Sequence, residues 1–133
     1  MMNRRPRLTS ALALALLMSL SMSAQAERTI LNRADLPGAP NMEVISSILE
    51  VAPGETVPRH FHNGIESGYT IEGSMIQLPG KEPQMMAAGT SIWNLPSVFH
   101  GGFKVVGTKP LKLYTVHIVE KGKPLFDGTE PVK

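Results

Sequence analysis

The stretch Gly54-Glu55-Thr56-Val57-Pro58-Arg59-His60-Phe61-His62-Asn63-Gly64-Ile65-Glu66 decides how this chain is read. His60 and His62 stand two apart, so on an extended strand both imidazoles project from one face. Asn63-Gly64 is a tight-turn dipeptide, expected to reverse the chain and return Glu66 to the side of the two histidines. Two imidazoles and one carboxylate converging from such a hairpin form a suitable donor set for a divalent cation. A fourth ligand would come from a later strand, and His100 is the candidate there.

The flanking sequence reads as a series of short strands. Residues 42–51 alternate loosely and are rich in β-branched side chains, and Ala52-Pro53-Gly54 ends them. Further strands are expected over 56–62, 66–72, 74–78, 84–88, 90–94, 100–106 and 111–119. They are separated by Gly73, Pro79-Gly80, Gly89 and Leu95-Pro96. The tail, residues 121–133, is expected to form an extended arm. No amphipathic helix, repeat or linker is visible. Regularly spaced short strands predict an all-β fold, an antiparallel sandwich or barrel, whose inward side chains line a small cavity.

The N-terminus is read separately. Arg4, Arg5 and Arg7 precede an Ala- and Leu-rich stretch over 8–22, and Ser23-Ala24-Gln25-Ala26 follows with small residues at the peptidase positions. This is the pattern of a secretory signal peptide over residues 1–26, leaving a single domain over 27–133. The apolar stretch is short for a membrane span, so no membrane association is expected after cleavage. Arg4-Arg5 raises twin-arginine export as the lesser route. With the three leader arginines gone, ten basic residues face eleven acidic ones, so the formal charge of +2 becomes about −1. The basic balance therefore belongs to the leader, and no nucleic-acid partner is expected. The chain has no cysteine, which excludes disulfides, thiolate metal sites and a lipid-anchored leader.

The spacing G-x5-H-x-H-x3-E-x6-G, filled by Gly54, His60, His62, Glu66 and Gly73, resembles the first motif of the cupin superfamily at every fixed position. The second motif, G-x5-P-x-G-x2-H-x3-N, is matched by Gly89 and His100. Its proline falls one place late at Pro96, its second glycine is missing, and its final Asn is replaced by Lys104. The resemblance extends over nearly all of residues 27–133 and is similar to small exported single-domain bacterial cupins. It implies a double-stranded β-helix, or jelly-roll, barrel. It also implies one divalent metal ion held by His60, His62, Glu66 and His100.

Three imidazoles and one carboxylate suit Fe, Mn, Ni, Zn or Cu, and leave two positions open on an ion that prefers six ligands. An open position favours chemistry on a small molecule, with Glu66 as a catalytic base if it leaves the metal. The resemblance implies dioxygenases, isomerases and lyases alike, and a dioxygenase-like oxidoreductase is preferred. The alternative is a module that binds or senses a metal or small ligand without chemistry. A third reading makes the metal a structural staple. His117 is read either as a pocket residue or as ordinary core or surface. Tyr69 and Trp93 are expected in the core, whereas Phe61, Trp93, Phe99 and methionines lining the pocket would indicate an aromatic or apolar substrate. Met85 and Met86, being adjacent, cannot both face one ion. A periplasmic or secreted homodimer is expected. Sequencing of the secreted protein should begin at Glu27; a chain that still begins at Met1 would refute export by cleavage.

Overall fold

The computed structural model describes residues 26–126 and 128; the leader read over 1–26 lies outside them except for Ala26. The described residues form nine strands and no helix. These are β1 (Glu27–Asp35), β2 (Met42–Val51), β3 (Thr56–Val57), β4 (Ile65–Glu72), β5 (Ser74–Gln77), β6 (Gln84–Met86), β7 (Ser91–Asn94), β8 (Phe103–Val105) and β9 (Leu111–Glu120). No helix among them is long and apolar enough to cross a membrane.

Two antiparallel sheets result, in the orders β1-β2-β9-β4-β7 and β3-β8-β5-β6. The all-β double-stranded β-helix expected from the sequence is the observed architecture. Strand β2 follows its sequence reading to the residue, because its period-two burial matches the pleat. Strand β1 was not anticipated. Its residues are almost all exposed, so it carries no alternation to read, and it forms by pairing with β2 from Glu27↔Glu50 to Asp35↔Glu43.

The apolar core joins the two sheets. Leu49, Val51, Leu111 and Leu113 from β2 and β9 pack with Val57, Ile76 and Val105 from β3, β5 and β8. Each such side chain contributes about 1.5–3 kcal/mol through burial. The inward face of β9 then changes character along its length, from Leu111 and Leu113 to Thr115 and His117. Ser47 is buried on β2 opposite Thr115. The barrel is thus greasy at one end and polar at the other.

The hairpin expected at Asn63-Gly64 does not exist. Strand β3 ends at Val57 and belongs to the smaller sheet, whereas β4 begins at Ile65 in the larger one. Residues 58–64 cross between the sheets. Gly64 makes the crossing possible, because a Cβ there would collide with the Ile118 carbonyl and approach Val119 Cα to 2.8 Å. Gly64→Ala is therefore expected to destabilise the fold by about 3 kcal/mol, measured as a lowered urea midpoint. An unchanged midpoint would show that the crossing tolerates a side chain.

Candidate metal centre

His60 and His62 lie on the crossing segment, not on a regular strand. His60 is fixed by a two-bond bridge to His100: its N–H donates to the His100 carbonyl at 2.9 Å, and the reverse bond is 2.8 Å. Strand β8 is shorter than expected, so His100 stands in the loop before it, held by that bridge. Gly101 permits the fit: a Cβ there would lie 2.8 Å from the Pro58 carbonyl oxygen and 3.3 Å from the His60 ring. Counting back from His100, the missing motif glycine falls at Ser97. Ser97 takes φ 59°, the one positive value at a non-glycine among the described residues, and its N–H donates to the His62 carbonyl at 2.9 Å. The loop therefore keeps a left-handed turn without the glycine.

Each of these imidazoles is tethered through Nδ1 to a backbone carbonyl. His60 bonds Pro58 at 2.7 Å, His100 bonds Val98 at 3.0 Å, and His62 bonds Leu125. A carbonyl oxygen can only accept, so each Nδ1 carries the proton. In its neutral form each ring would then present a bare Nε2 lone pair. The ligand atoms of His60, His62 and His100 all lie within 4.8 Å of one another.

Glu66 enters from β4, the strand between β9 and β7. The register sets it opposite His117 on one side and Asn94 on the other. Asn94 Nδ2 donates to Oε2 at 2.6 Å. His62 Nε2 and His100 Nε2 stand 3.3 and 3.4 Å from that same oxygen, and His117 Nε2 is 3.2 Å from Oε1. His62, Glu66 and His117 form a second group of ligand atoms within 4.8 Å, all buried. The structure thus brings His60, His62, Glu66 and His100 together and adds His117. The overlooked signal was register: an inward residue of the closing strand opposite Glu66 has to face the same interior.

Burial would raise the Glu66 pKa, but its contacts with His100, His117 and His62 outweigh burial and hold it far below the usual carboxylate range. Burial pushes His60 down to about 4, the nearby imidazoles adding to the effect while the Pro58 hydrogen bond opposes it. Burial also lowers His117 against the pull of Glu66. At His100 burial acts downward too, yet the Glu66 and Val98 contacts raise it overall.

These residues fit a bound cation. His62 Nε2, His100 Nε2 and both His117 nitrogens are buried with no hydrogen-bond partner. Lone pairs of neutral rings aimed at an anionic oxygen repel it unless a proton or cation lies between. Burial opposes protonation of His60 and His117. The donor set of imidazole nitrogen and carboxylate oxygen matches a divalent transition metal.

Beside the cluster lies a cavity of about 230 Å³ lined by Leu49, Ile76, Met86, Ile92, Phe103 and Leu113 together with Arg28. Met86 faces it while Met85 is exposed, as adjacent strand positions require. Phe61 and Phe99 pack edge-to-face on each other and do not line the cavity, whose aromatic lining comes from Phe103 and Phe126. Tyr69 and Trp93 are not core residues either. They are 53% and 62% exposed on the outer face of the larger sheet. The C-terminal segment is no free arm over its described part: Leu125 binds His62, and the Phe126 ring packs on His60 at 4.6 Å.

The two sheets, the short strands and a histidine–carboxylate cluster at the polar end define a small β-barrel with an internal site. The cupin-domain family model matches residues 47–117, just over half the chain, and the protein belongs to the cupin family. A comparison with curated proteins finds no significant match. Among solved structures, the chain is similar to a double-stranded β-helix protein from Klebsiella pneumoniae, with 15% identity and a TM-score of 0.57 over 80% of this chain and 86% of that one. It is also similar to the polyketide cyclase RemF from Streptomyces resistomycificus, with 22% identity and a TM-score of 0.51 over 71% and 76% of the two chains. It is likewise similar in fold to the DMSP lyase DddQ from Ruegeria pomeroyi, with 14% identity and a TM-score of 0.53 over 74% of this chain and 49% of that one.

The pKa shifts predict the pH response of the metal-stripped protein. His60 titrates at about 4 when folded and near 6.5 when unfolded, so the unfolded chain binds more protons between those values. His117 and Glu66, both lowered, act in the same sense, and His100, raised, acts against them. Stability measured by urea after chelation is therefore expected to fall as pH drops from 6.5 to 4. A flat profile over that window would contradict the burial of neutral His60.

Proposed function

We propose that the protein holds one divalent metal ion through His60, His62, Glu66 and His100 and acts as an exported enzyme on a small molecule bound in the adjoining cavity. The observation that carries this reading is the set of imidazoles whose Nδ1–H groups donate to backbone carbonyls, with Nε2 of His62 and His100 facing the Glu66 carboxylate. A bound cation would supply Lewis-acid polarisation of a substrate oxygen, or a site for dioxygen. The protein's own residues prepare the place. The carbonyl tethers fix ring orientation, as partners behind metal-binding histidines do. His117 and Asn94 hold the two oxygens of Glu66. A carboxylate so strongly held in its ionised form is a weak base, so Glu66 suits ligation better than proton abstraction. The apolar walls exclude water and select a small, largely apolar substrate. Two of the structural neighbours carry names of enzymes, a cyclase and a lyase, which supports small-molecule chemistry and does not favour oxygen chemistry over non-redox conversion.

A second reading, a binding module without catalysis, is supported by Phe126 and Leu125. The Phe126 ring packs on His60 and His62, and the Leu125 carbonyl accepts from His62. Metal titration followed by melting separates a real site from none. One equivalent per chain is expected to bind and to raise Tm by roughly 10 °C at saturating metal. His62→Ala should abolish both the binding and the rise. If chelator and His62→Ala leave melting unchanged, the protein holds no metal there.

A further inference from the structure

Strand β1 delivers one side chain that neither the core nor the metal centre needs. Arg28 faces inward opposite Leu49 and lines the cavity that also contains His60, Glu66 and His100. Its Nη1 donates to Ser47 Oγ at 2.6 Å and to Thr115 Oγ1 at 2.9 Å. Those two hydroxyls are themselves 2.8 Å apart and fully buried. The guanidinium is thus anchored from one side by rigid neighbours on β2 and β9. The Phe126 ring covers it with its centroid 5.0 Å from Cζ, and the same ring packs on His60.

Glu66 lines the same cavity and its charge acts on Arg28, but among the described residues no anion pairs with the guanidinium directly. Burying a guanidinium is costly unless a carboxylate or equivalent pairs with it. Among the described residues no acidic side chain forms an ion pair with Arg28, and its Nε is buried with no hydrogen-bond partner. With Nη1 committed to the two hydroxyls, the edge formed by Nε and Nη2 remains. That edge is the planar fork that grips a carboxylate through two parallel hydrogen bonds. Apart from Asn94 and the histidine–carboxylate cluster the walls are mostly aliphatic or aromatic, and the volume of about 230 Å³ admits only a small body.

We propose that Arg28 is a substrate-binding residue: its guanidinium receives the carboxylate of a small carboxylic acid whose apolar body fills the cavity beside the histidine cluster. This rests on the reading of that cavity as the substrate site. Phe126, in contact with both Arg28 and His60, spans the gap between the anchor and the reacting end. The carboxylate fixes one end of the molecule, and the apolar walls direct the other towards the imidazoles. Arg28 then selects acids over their neutral analogues, because a neutral group leaves the buried fork unpaired.

Calorimetric titration of the full chain with benzoate and with its neutral counterpart benzamide tests the proposal. Benzoate is expected to bind at least tenfold more tightly. Arg28→Gln should erase the difference, and Arg28→Lys should retain part of it. Should Arg28→Gln fail to fold, the wild-type Arg28 Nε–H resonance provides the readout, and it is expected to shift with benzoate and not with benzamide. Equal binding of the two probes, an undiminished preference in Arg28→Gln, or an Nε–H resonance unmoved by bound benzoate would overturn the proposal. The same titration on His62→Ala separates it from the metal reading. A preference lost there but kept in Arg28→Gln assigns the carboxylate to a metal and overturns the role of Arg28. A preference kept in His62→Ala upholds Arg28 even if no metal binds.

Discussion

The Glu66 carboxylate is the constraint around which the polar end of this barrel is arranged. One oxygen faces His117 from β9, and the other takes the Asn94 hydrogen bond from β7 while standing close to His62 and His100. A buried carboxylate without such partners would be driven to its neutral form. Here the partners come from four separate pieces of chain, so the charge is stable only when the two sheets are assembled. The same dependence runs the other way. The imidazoles are oriented by carbonyl tethers from Pro58, Val98 and Leu125, and their free nitrogens have no role in packing.

The fold supplies this arrangement by dividing its interior. Leu49, Leu111 and Leu113 at one end form the core with Val57, Ile76 and Val105, and the apolar contacts there stabilise the barrel. Further along β9 the inward positions become Thr115 and His117, and on β2 Ser47 stands opposite Thr115. The polar end is costly to bury, and the proposed bound cation and anionic ligand would offset that cost where the protein's own groups leave it uncompensated. Nε2 of His62 and His100, both nitrogens of His117 and Nε of Arg28 are among the buried atoms to which the described residues offer no hydrogen-bond partner. The C-terminal segment belongs to the same economy of space, since Phe126 stacks against His60, His62 and Arg28 at once.

Much of this was legible from spacing. The motif from Gly54 to Gly73 pointed to the barrel and to His60, His62 and Glu66, the second motif added His100, and the alternation in residues 42–51 matched β2 to the residue. Local rules failed where tertiary contacts overruled them. Asn63-Gly64 has the composition of a hairpin turn, yet Gly64 is there because the Ile118 carbonyl leaves no room for a Cβ. Strand β1 lacks any alternation because it sits at the sheet edge. Tyr69 and Trp93 look like core residues by type, but their parity on β4 and β7 turns them outward.

By itself the sequence determined the all-β class, the identities of the four clustered residues and the absence of thiolate chemistry, because each depends on residue type and short-range spacing. Only the tertiary structure decided that His60 and His62 sit on a crossing between sheets, that His117 and Asn94 face Glu66, and that Arg28 and Phe126 share the cavity. These follow from strand order and register, which join residues as far apart as Arg28 and Thr115. The physical reason is that pairing register depends on how the whole barrel closes over its core, and no local stretch of sequence contains that information.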